Sequence, residues 1–183
     1  MKTAPTVEPI TVAELKTFAR IDTDSEDTLL TDFIQAAREG AENYLARSLL
    51  EQTLIFSFDF WFADSITLPR PPLMSVTEVR TLLESGSTTS YASSNYYVLN
   101  TGAKTEIVLR QDSEFPINEN RDRGGFEVEY QAGYGSAASS IPSAIRQAIK
   151  LWATTLYEKR GLESNEPPLE AKTLLESYRI MQL

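Results

Sequence analysis

The chain changes its periodicity within residues 126–152, which read FEVEYQAGYGSAASSIPSAIRQAIKLW. Apolar residues first alternate with glutamates, a pattern typical of a strand with one buried face. Gly133 and Gly135 then permit a tight turn, and a run of small residues leads to Pro142, which a first helical turn tolerates. The stretch therefore predicts a junction between the last strand of a β section and a long helix.

Two long amphipathic helices are predicted, one on each side of the β section. The first follows a short helix over residues 11–20, which Thr11 and Glu14 begin with capping-box spacing. The second begins at Pro142 and is predicted to end at Gly161. Since neither apolar stripe can be covered by its neighbours in sequence, the two helices are predicted to pack together. The two stripes consist of Leu29, Leu30, Phe33, Ile34, Ala37, Ala41, Tyr44 and Leu45, and of Ile145, Ala148, Ile149, Trp152, Ala153, Leu156 and Tyr157.

Residues 51–132 carry the β patterns. From Gln52 the apolar period changes to two, and turn-forming residues separate further β-rich runs, so about five or six short antiparallel strands are predicted. Pro69, Pro71 and Pro72 cannot lie inside a central strand, so they predict a sheet edge or a crossing loop. The core face of the first strand is predicted to carry Leu54, Phe56, Phe58, Phe60 and Phe62.

The order of these elements predicts an α+β fold. Helices from both ends of the chain form one helical bundle, and an antiparallel β lobe is inserted between them. The predicted domains are residues 1–50, with the N-terminal helices of the helical core, residues 51–135, which form the β lobe, and residues 136–183, with the C-terminal helices that complete the core and a tail. A chain of 183 residues is long enough for one such unit with a sizeable core.

The chain contains no cysteine and no histidine. Disulfides, the usual zinc sites, thiol nucleophiles and imidazole-dependent triads are therefore excluded. Carboxylate chemistry survives this filter, and Glu127 and Glu129 share one predicted strand face, as the paired acids of a glycoside hydrolase would require. A solvent-facing polar edge is the simpler interpretation, and we predict a protein that is not an enzyme and uses no cofactor and no metal.

Charge and hydropathy exclude two further classes of function. The formal net charge is −9, and the Lys and Arg count against Asp and Glu is −4 over 1–50, −2 over 51–110, −4 over 111–135 and +1 over 136–183. No segment supplies the basic stripe that sequence-specific nucleic-acid binding needs. No apolar run approaches the roughly 18 residues of a membrane span, and no leader pattern opens the chain, so neither membrane insertion nor secretion is expected.

Two charged clusters are candidate sites. The acidic run DTDSED resembles the start of a calcium loop, but Asp27 stands at its sixth position and Phe33 at its twelfth, so an acidic start of the second helix is the better interpretation. Arg121 and Arg123 lie in the loop 118–125 and could contact a phosphate backbone. Because acidic residues flank them, a solvated hairpin tip is the favoured interpretation.

The order of motifs over most of the chain resembles the head-tail connector (adaptor) proteins of long-tailed phages and of gene transfer agents. The resemblance runs from about Val12 to Arg179. It rests on FARID, DSEDTLLTDFI, AAREGAENYLARSL, the QT that opens the sheet, LPRPPLMSVTEV, VEYQAGYG, IPSAIRQAIKLWATTLYEKR and LLESYR. No motif falls within residues 84–125, so the resemblance carries no residue-specific role there.

This resemblance implies a structural virion protein of the neck, assembled in the host cytoplasm. Such a protein forms a dodecameric ring with further copies of itself under the portal protein and extends the DNA channel, through which DNA passes without sequence-specific binding. It also provides a platform for the next connector or a tail-completion protein. In this family the C-terminal segment is a portal-docking element, which here contains Leu174, Leu175, Tyr178, Arg179, Met181 and Leu183.

The residues themselves leave an alternative open. A monomeric module whose β lobe binds a small ligand or a peptide would have the same composition. The helix that begins at Pro142, the final YRIMQL and the PRPPL edge carry more apolar side chains than one small lobe needs to bury. On composition alone this surplus fits an interface and a completed intramolecular core equally well.

Overall fold

The computed structural model describes residues 1–61, 65–102, 104–111, 113, 120–160 and 166–180. The chain divides into two compact units. The β unit contains Met1–Ala4 and Glu51–Gly133, and the helical unit contains Pro5–Leu50 and Tyr134–Leu183. The predicted roles of Phe62, Gly161, Met181 and Leu183 lie outside the described residues.

The described part of the helical unit contains four α-helices, which share one core. They are α1 (Val12–Ala19), α2 (Asp27–Leu45), α3 (Ser143–Lys159) and α4 (Leu169–Leu175).

The capping signals predicted the start of α1 correctly and the end of α3 to within one residue. The predicted capping box is confirmed, because the Glu14 N–H donates to the Thr11 hydroxyl at 3.1 Å and the Thr11 N–H donates to the Glu14 carboxylate at 2.8 Å. Pro142 is the N-cap of α3. The left-handed residue at the end of α3 is Arg160, one position before the predicted glycine.

The two predicted stripes pack against each other, as expected. Gly40 of α2 permits a close approach, since a Cβ atom there would lie 2.5 Å from Cη2 of Trp152 in α3. Burying one large apolar side chain contributes roughly 1.5–3 kcal/mol, so this shared core is the main source of stability for the unit. The buried stripe residues are Leu30, Ile34, Ala37, Ala41 and Leu45 of α2, and Ile145, Ala148, Ile149, Trp152 and Ala153 of α3.

The described part of the β unit contains seven strands in two antiparallel sheets. One sheet has the order β1-β7-β3-β4, and the other has the order β2-β6-β5. Buried residues from both sheets form a common core, among them Leu54, Leu68, Val79, Ile107 and Val128. The strands are β1 (Gln52–Phe58), β2 (Ser65–Leu68), β3 (Leu73–Leu82), β4 (Thr88–Tyr91), β5 (Tyr96–Asn100), β6 (Thr105–Leu109) and β7 (Phe126–Ala132).

The aromatic alternation of the first strand is confirmed only in part. Leu54 is buried and Phe58 is half-buried, with its ring stacked 5.4 Å from that of Phe126. Phe60 is exposed, because β1 ends at Phe58 and the period of two cannot be continued beyond the strand. The prolines at 69, 71 and 72 lie between β2 and β3, as expected for a connecting loop.

The α+β fold class predicted from the sequence is confirmed. Within the described residues, no helix has the length and apolar character needed to cross a membrane.

Candidate assembly surfaces

The C-terminal segment lies against the carboxyl end of α2. The Ile180 N–H donates to the Leu45 carbonyl at 3.1 Å, which satisfies one of the open acceptors at that helix end. The Arg47 Nε donates to the Tyr178 carbonyl at 2.6 Å. These bonds hold the last described residues of the chain on α2.

Tyr44 of α2 is the aromatic centre of this attachment. Its hydroxyl donates to the Glu176 carboxylate, and the Arg179 guanidinium carbon lies 4.8 Å from its ring centre. The Lys172 ammonium lies 6.0 Å from the same ring. From the sequence, Tyr44 is predicted only as part of the apolar stripe, because nothing local to it indicates cationic neighbours that lie more than a hundred residues later.

The predicted portal-docking residues differ in their burial. Leu175 is fully buried in the helical core, and Leu174 and Tyr178 are half-buried against it. Arg179 is exposed. Leu175 therefore anchors the segment, while Arg179 and part of Tyr178 remain accessible.

Arg121 and Arg123 lie in a turn that Asp59 stabilises. Arg123 is 89% exposed and its Nη1 donates to Asp59 Oδ2 at 2.9 Å, while the Gly124 N–H donates to Asp59 Oδ1 at 2.7 Å. The bond from Gly124, and then the bond from Arg123, lower the pKa of Asp59. Arg121 donates to the Gly124 carbonyl at 3.0 Å. Both arginines thus contribute to the turn, and their role in facing DNA stays a prediction.

The acidic run before α2 joins this helix to α1 and α3. Lys16 of α1 donates to Asp24, and this bond lowers the pKa of the Asp24 carboxyl. Tyr157 donates to Glu26 at 2.6 Å and Arg160 at 2.7 Å, and these bonds lower the pKa of Glu26. Within the described ranges, no group of three or more acidic side chains could hold a metal ion.

The carboxylates considered for an enzyme belong to an ion-pair cluster. Arg80 Nη2 lies 2.9 Å from Glu127, and Arg80 Nη1 lies 2.9 Å from Glu78 and 3.4 Å from Glu129. Glu129 also pairs with Lys2 at 2.7 Å. Cations thus neutralise both candidate acids, which favours a structural role. The predicted solvent-facing edge is wrong for Glu129, which is buried because Lys2 and Arg80 cover it.

A first depression in the helical unit, called groove A, has a volume of about 540 Å³. Thr31 and Ile34 of α2 lie on one side of it, and the segment after the β section lies on the other. Val7 at its rim is exposed. Its apolar lining consists of Val7, Ile10, Val12, Ile34, Ala137 and Ala138.

A second depression, groove B, has a volume of about 360 Å³. Gly40 follows Thr31 by nine residues in the sequence. Nine residues are about two and a half helical turns, so grooves A and B lie on opposite sides of α2. The lining of groove B includes Ala36, Gly40, Tyr44, Trp152, Leu156 and Pro167.

Comparison with known proteins identifies one family. The family model for the phage gp6-like head-tail connector protein matches residues 9–108. No curated protein sequence matches the chain.

Three solved structures share the fold. A chain in the neck of an empty gene transfer agent particle, computed with C6 symmetry, is 24% identical with a TM-score of 0.79. Chains in the virion of a native gene transfer agent particle and in the neck of the native particle, computed with C12 symmetry, are each 24% identical, with TM-scores of 0.78 and 0.76. Each likeness covers 100% of this chain and 97% of the other.

Proposed function

The chain belongs to the phage gp6-like head-tail connector family and is a structural connector, and we propose that it forms a dodecameric ring beneath the portal protein in the virion neck. The ring extends the DNA channel and carries a platform for the next connector or tail-completion protein. The connector is assembled in the host cytoplasm, performs no catalysis and needs no cofactor. The family match over residues 9–108 is the observation that carries this proposal.

Two features of the helical unit support a ring. Grooves A and B are apolar depressions on opposite sides of α2, so one copy can present different surfaces to its two neighbours. Contacts between unlike surfaces generate closed rings when the rotation between copies closes. The number of twelve copies is proposed by analogy with the native particle neck, which was computed with C12 symmetry.

The charge of the chain supports a passive DNA conduit. A net charge of −9 repels phosphates, so DNA can slide through the lumen without being held. Arg121 and Arg123 are the residues we propose for loop contacts with the passing DNA. Because Arg123 is paired with Asp59, such contacts would be weak and independent of base sequence.

We propose the C-terminal segment as the portal-docking element. Leu175 and Leu174 anchor it in the helical core, and Tyr178 and Arg179 offer a half-buried aromatic side chain and an exposed cation to the portal. Met181 and Leu183 belong to the same segment of the sequence. Arg179 is exposed and lies over the Tyr44 ring, so its loss should weaken docking while the buried Leu175 keeps the segment attached to the unit.

Light scattering of the purified chain, alone and with its cognate portal protein, tests the proposal. A ring-sized mass in either condition is expected. A chain that stays strictly monomeric at high concentration with the portal would contradict the connector proposal and favour the alternative, a monomeric module that binds a ligand or peptide through its β lobe.

A charge-matched pair of variants tests the docking element. Arg179→Ala is expected to weaken portal binding by about tenfold, the loss typical of one charged interface contact. Arg123→Ala removes another exposed arginine, from the β unit, and should leave portal binding unchanged. Equal portal affinity of both variants and the unsubstituted chain would show that the C-terminal segment does not dock.

A further inference from the structure

Strand β5 exposes apolar side chains at the edge of its sheet. Tyr97 is 49% exposed, Val98 40% and Leu99 51%. β5 pairs with β6 on one side, and no strand within the described residues pairs with its other side. Proteins usually protect such an edge with charges, prolines or a covering element, because it can accept a strand from another chain. An edge with three exposed apolar residues in succession therefore marks an interface.

The hydrogen-bond pattern shows which backbone groups are directed outward. Arg110 donates its backbone N–H to the Asn95 carbonyl at 3.0 Å, immediately before the paired residues of β5 and β6 begin. Opposed residues of an antiparallel pair alternate between bonded and non-bonded pairs. Val98, three residues after Asn95, therefore belongs to a non-bonded pair with Ile107, and its N–H and C=O point to the open edge.

A cation lies at one end of this edge. The Arg110 guanidinium carbon lies 3.8 Å from the ring centre of Tyr97, and Arg110 is exposed. Lys104 stands before the other end of β6, where Glu106 at 2.8 Å neutralises its charge. Six residues of strand span about 20 Å, so a short strand added along β5 could reach Arg110. The β5 edge is thus apolar in the middle with a cation at one end, in a chain whose net charge is −9.

We propose that the outer edge of β5 accepts an extended segment of the protein that follows this connector in the neck. The segment pairs through its backbone with Val98, places apolar side chains beside Tyr97 and Leu99, and brings an acidic side chain to Arg110. Backbone bonds supply affinity in strand addition, and the alternating side chains supply specificity. This inference rests on the proposed function, in which the connector carries a platform for the next neck protein.

Two substitutions of Val98 separate backbone pairing from side-chain contact. Proline has no N–H to donate, yet sheet edges tolerate it, whereas threonine keeps both the N–H and the β-branch. With the purified cognate protein that follows the connector as probe, Val98→Pro is expected to bind about tenfold more weakly, and Val98→Thr within about threefold of the unsubstituted chain. Equal losses in both variants would overturn strand addition.

A second pair of substitutions keeps the test valid if the proline variant does not fold. Arg110→Glu is expected to weaken binding of the same probe by about tenfold, while Arg110→Lys keeps the charge and most of the affinity. Unchanged binding by Arg110→Glu would overturn the acidic character of the partner segment.

Hydrogen exchange and light scattering separate the remaining outcomes. The Val98 amide is expected to become protected only when the next neck protein is added. Protection that rises with the concentration of the chain alone would assign the edge to a second copy and overturn the inference. If the unsubstituted chain forms no ring-sized species with the portal, the proposed function fails; if it forms the ring and Val98→Pro still binds the next protein normally, only this inference fails.

Discussion

Replacing Glu42 by alanine removes a buried carboxylate that accepts hydrogen bonds from Arg38 and from the Leu49 backbone. Its Oε2 accepts from Arg38 Nη1 at 3.2 Å, and its Oε1 accepts from the Leu49 N–H at 2.8 Å. Arg38 is also buried, and its Nε donates to Glu8 at 2.8 Å. Glu42 therefore joins α2 to the chain that enters the β section, and through Arg38 it contributes to holding the rim of groove A.

The expected cost is about 4 kcal/mol of unfolding free energy for the helical unit. Removing one partner of a buried ion pair costs about 3–5 kcal/mol, and an unpaired buried N–H costs about 1–3 kcal/mol. The two losses are not independent, and Arg38 keeps its bond to Glu8, so the total cost is smaller than the sum of the two figures. Glu39→Ala is the matched control: it removes the same charge from the same helix, but Glu39 is 54% exposed and 3.4 Å from Arg38, so it should cost less than about 1 kcal/mol.

The two tryptophans allow the helical unit to be observed alone. Trp61 belongs to the β unit and Trp152 to the helical core. In a Trp61→Phe background, urea unfolding followed by tryptophan fluorescence reports the helical unit. If Glu42→Ala destabilises this unit no more than Glu39→Ala does, the inference that the buried pair supports the fold is wrong.

Three further predictions concern single residues. Gly40→Ala is expected to destabilise the helical unit by about 1 kcal/mol in urea unfolding, because overpacking against Trp152 costs about 1–3 kcal/mol and exceeds the helix-propensity gain of about 1 kcal/mol. Glu26→Gln is expected to make the unfolding midpoint depend less on pH in acid. The bond from Tyr157 lowers the pKa of Glu26. The stabilising contribution of Glu26 is therefore present above the ordinary pKa of 4.5 and is lost as the pH falls through the lowered pKa. Tyr130→Phe is expected to destabilise the β unit by about 1–3 kcal/mol in urea unfolding, because its buried hydroxyl donates to a backbone carbonyl at 2.7 Å.

Each of these predictions has a contradicting result. In a Trp152→Phe background, where urea unfolding is followed by far-UV circular dichroism, the clash is relieved and Gly40→Ala should become neutral or stabilising. A stabilising effect in the unsubstituted chain would contradict the close approach. For Glu26→Gln, an acid-unfolding curve parallel to that of the unsubstituted chain would show that Glu26 contributes nothing. For Tyr130→Phe, an unchanged β-unit midpoint would show that the hydroxyl bond adds no stability.

The elements that could be predicted are those with a strong local period. The stripe from Ile145 to Trp152 and the capping box at Thr11 were read from spacing alone and lie where they were expected. The aromatic alternation failed at Phe60, because the end of β1 depends on where its pairing with β7 ends. The sequence of α2 indicated which residues are charged but not that Arg38 is buried. The burial of Arg38 depends on contacts with Glu8, thirty residues earlier.

The same division holds for the candidate surfaces. The resemblance predicted the C-terminal segment as a docking element, and the sequence offered the two loop arginines as candidates. Neither indicated that Leu175 is buried, that Tyr44 holds the segment, or that β5 lies at a sheet edge. By itself the sequence determined the helices, most strands, the exclusion of histidine and cysteine chemistry, and the resemblance to a connector. Tertiary structure decided which of those side chains are accessible. Periodicity and capping depend on backbone geometry within a few residues, whereas burial, sheet order and ion pairing depend on contacts between residues far apart in the chain.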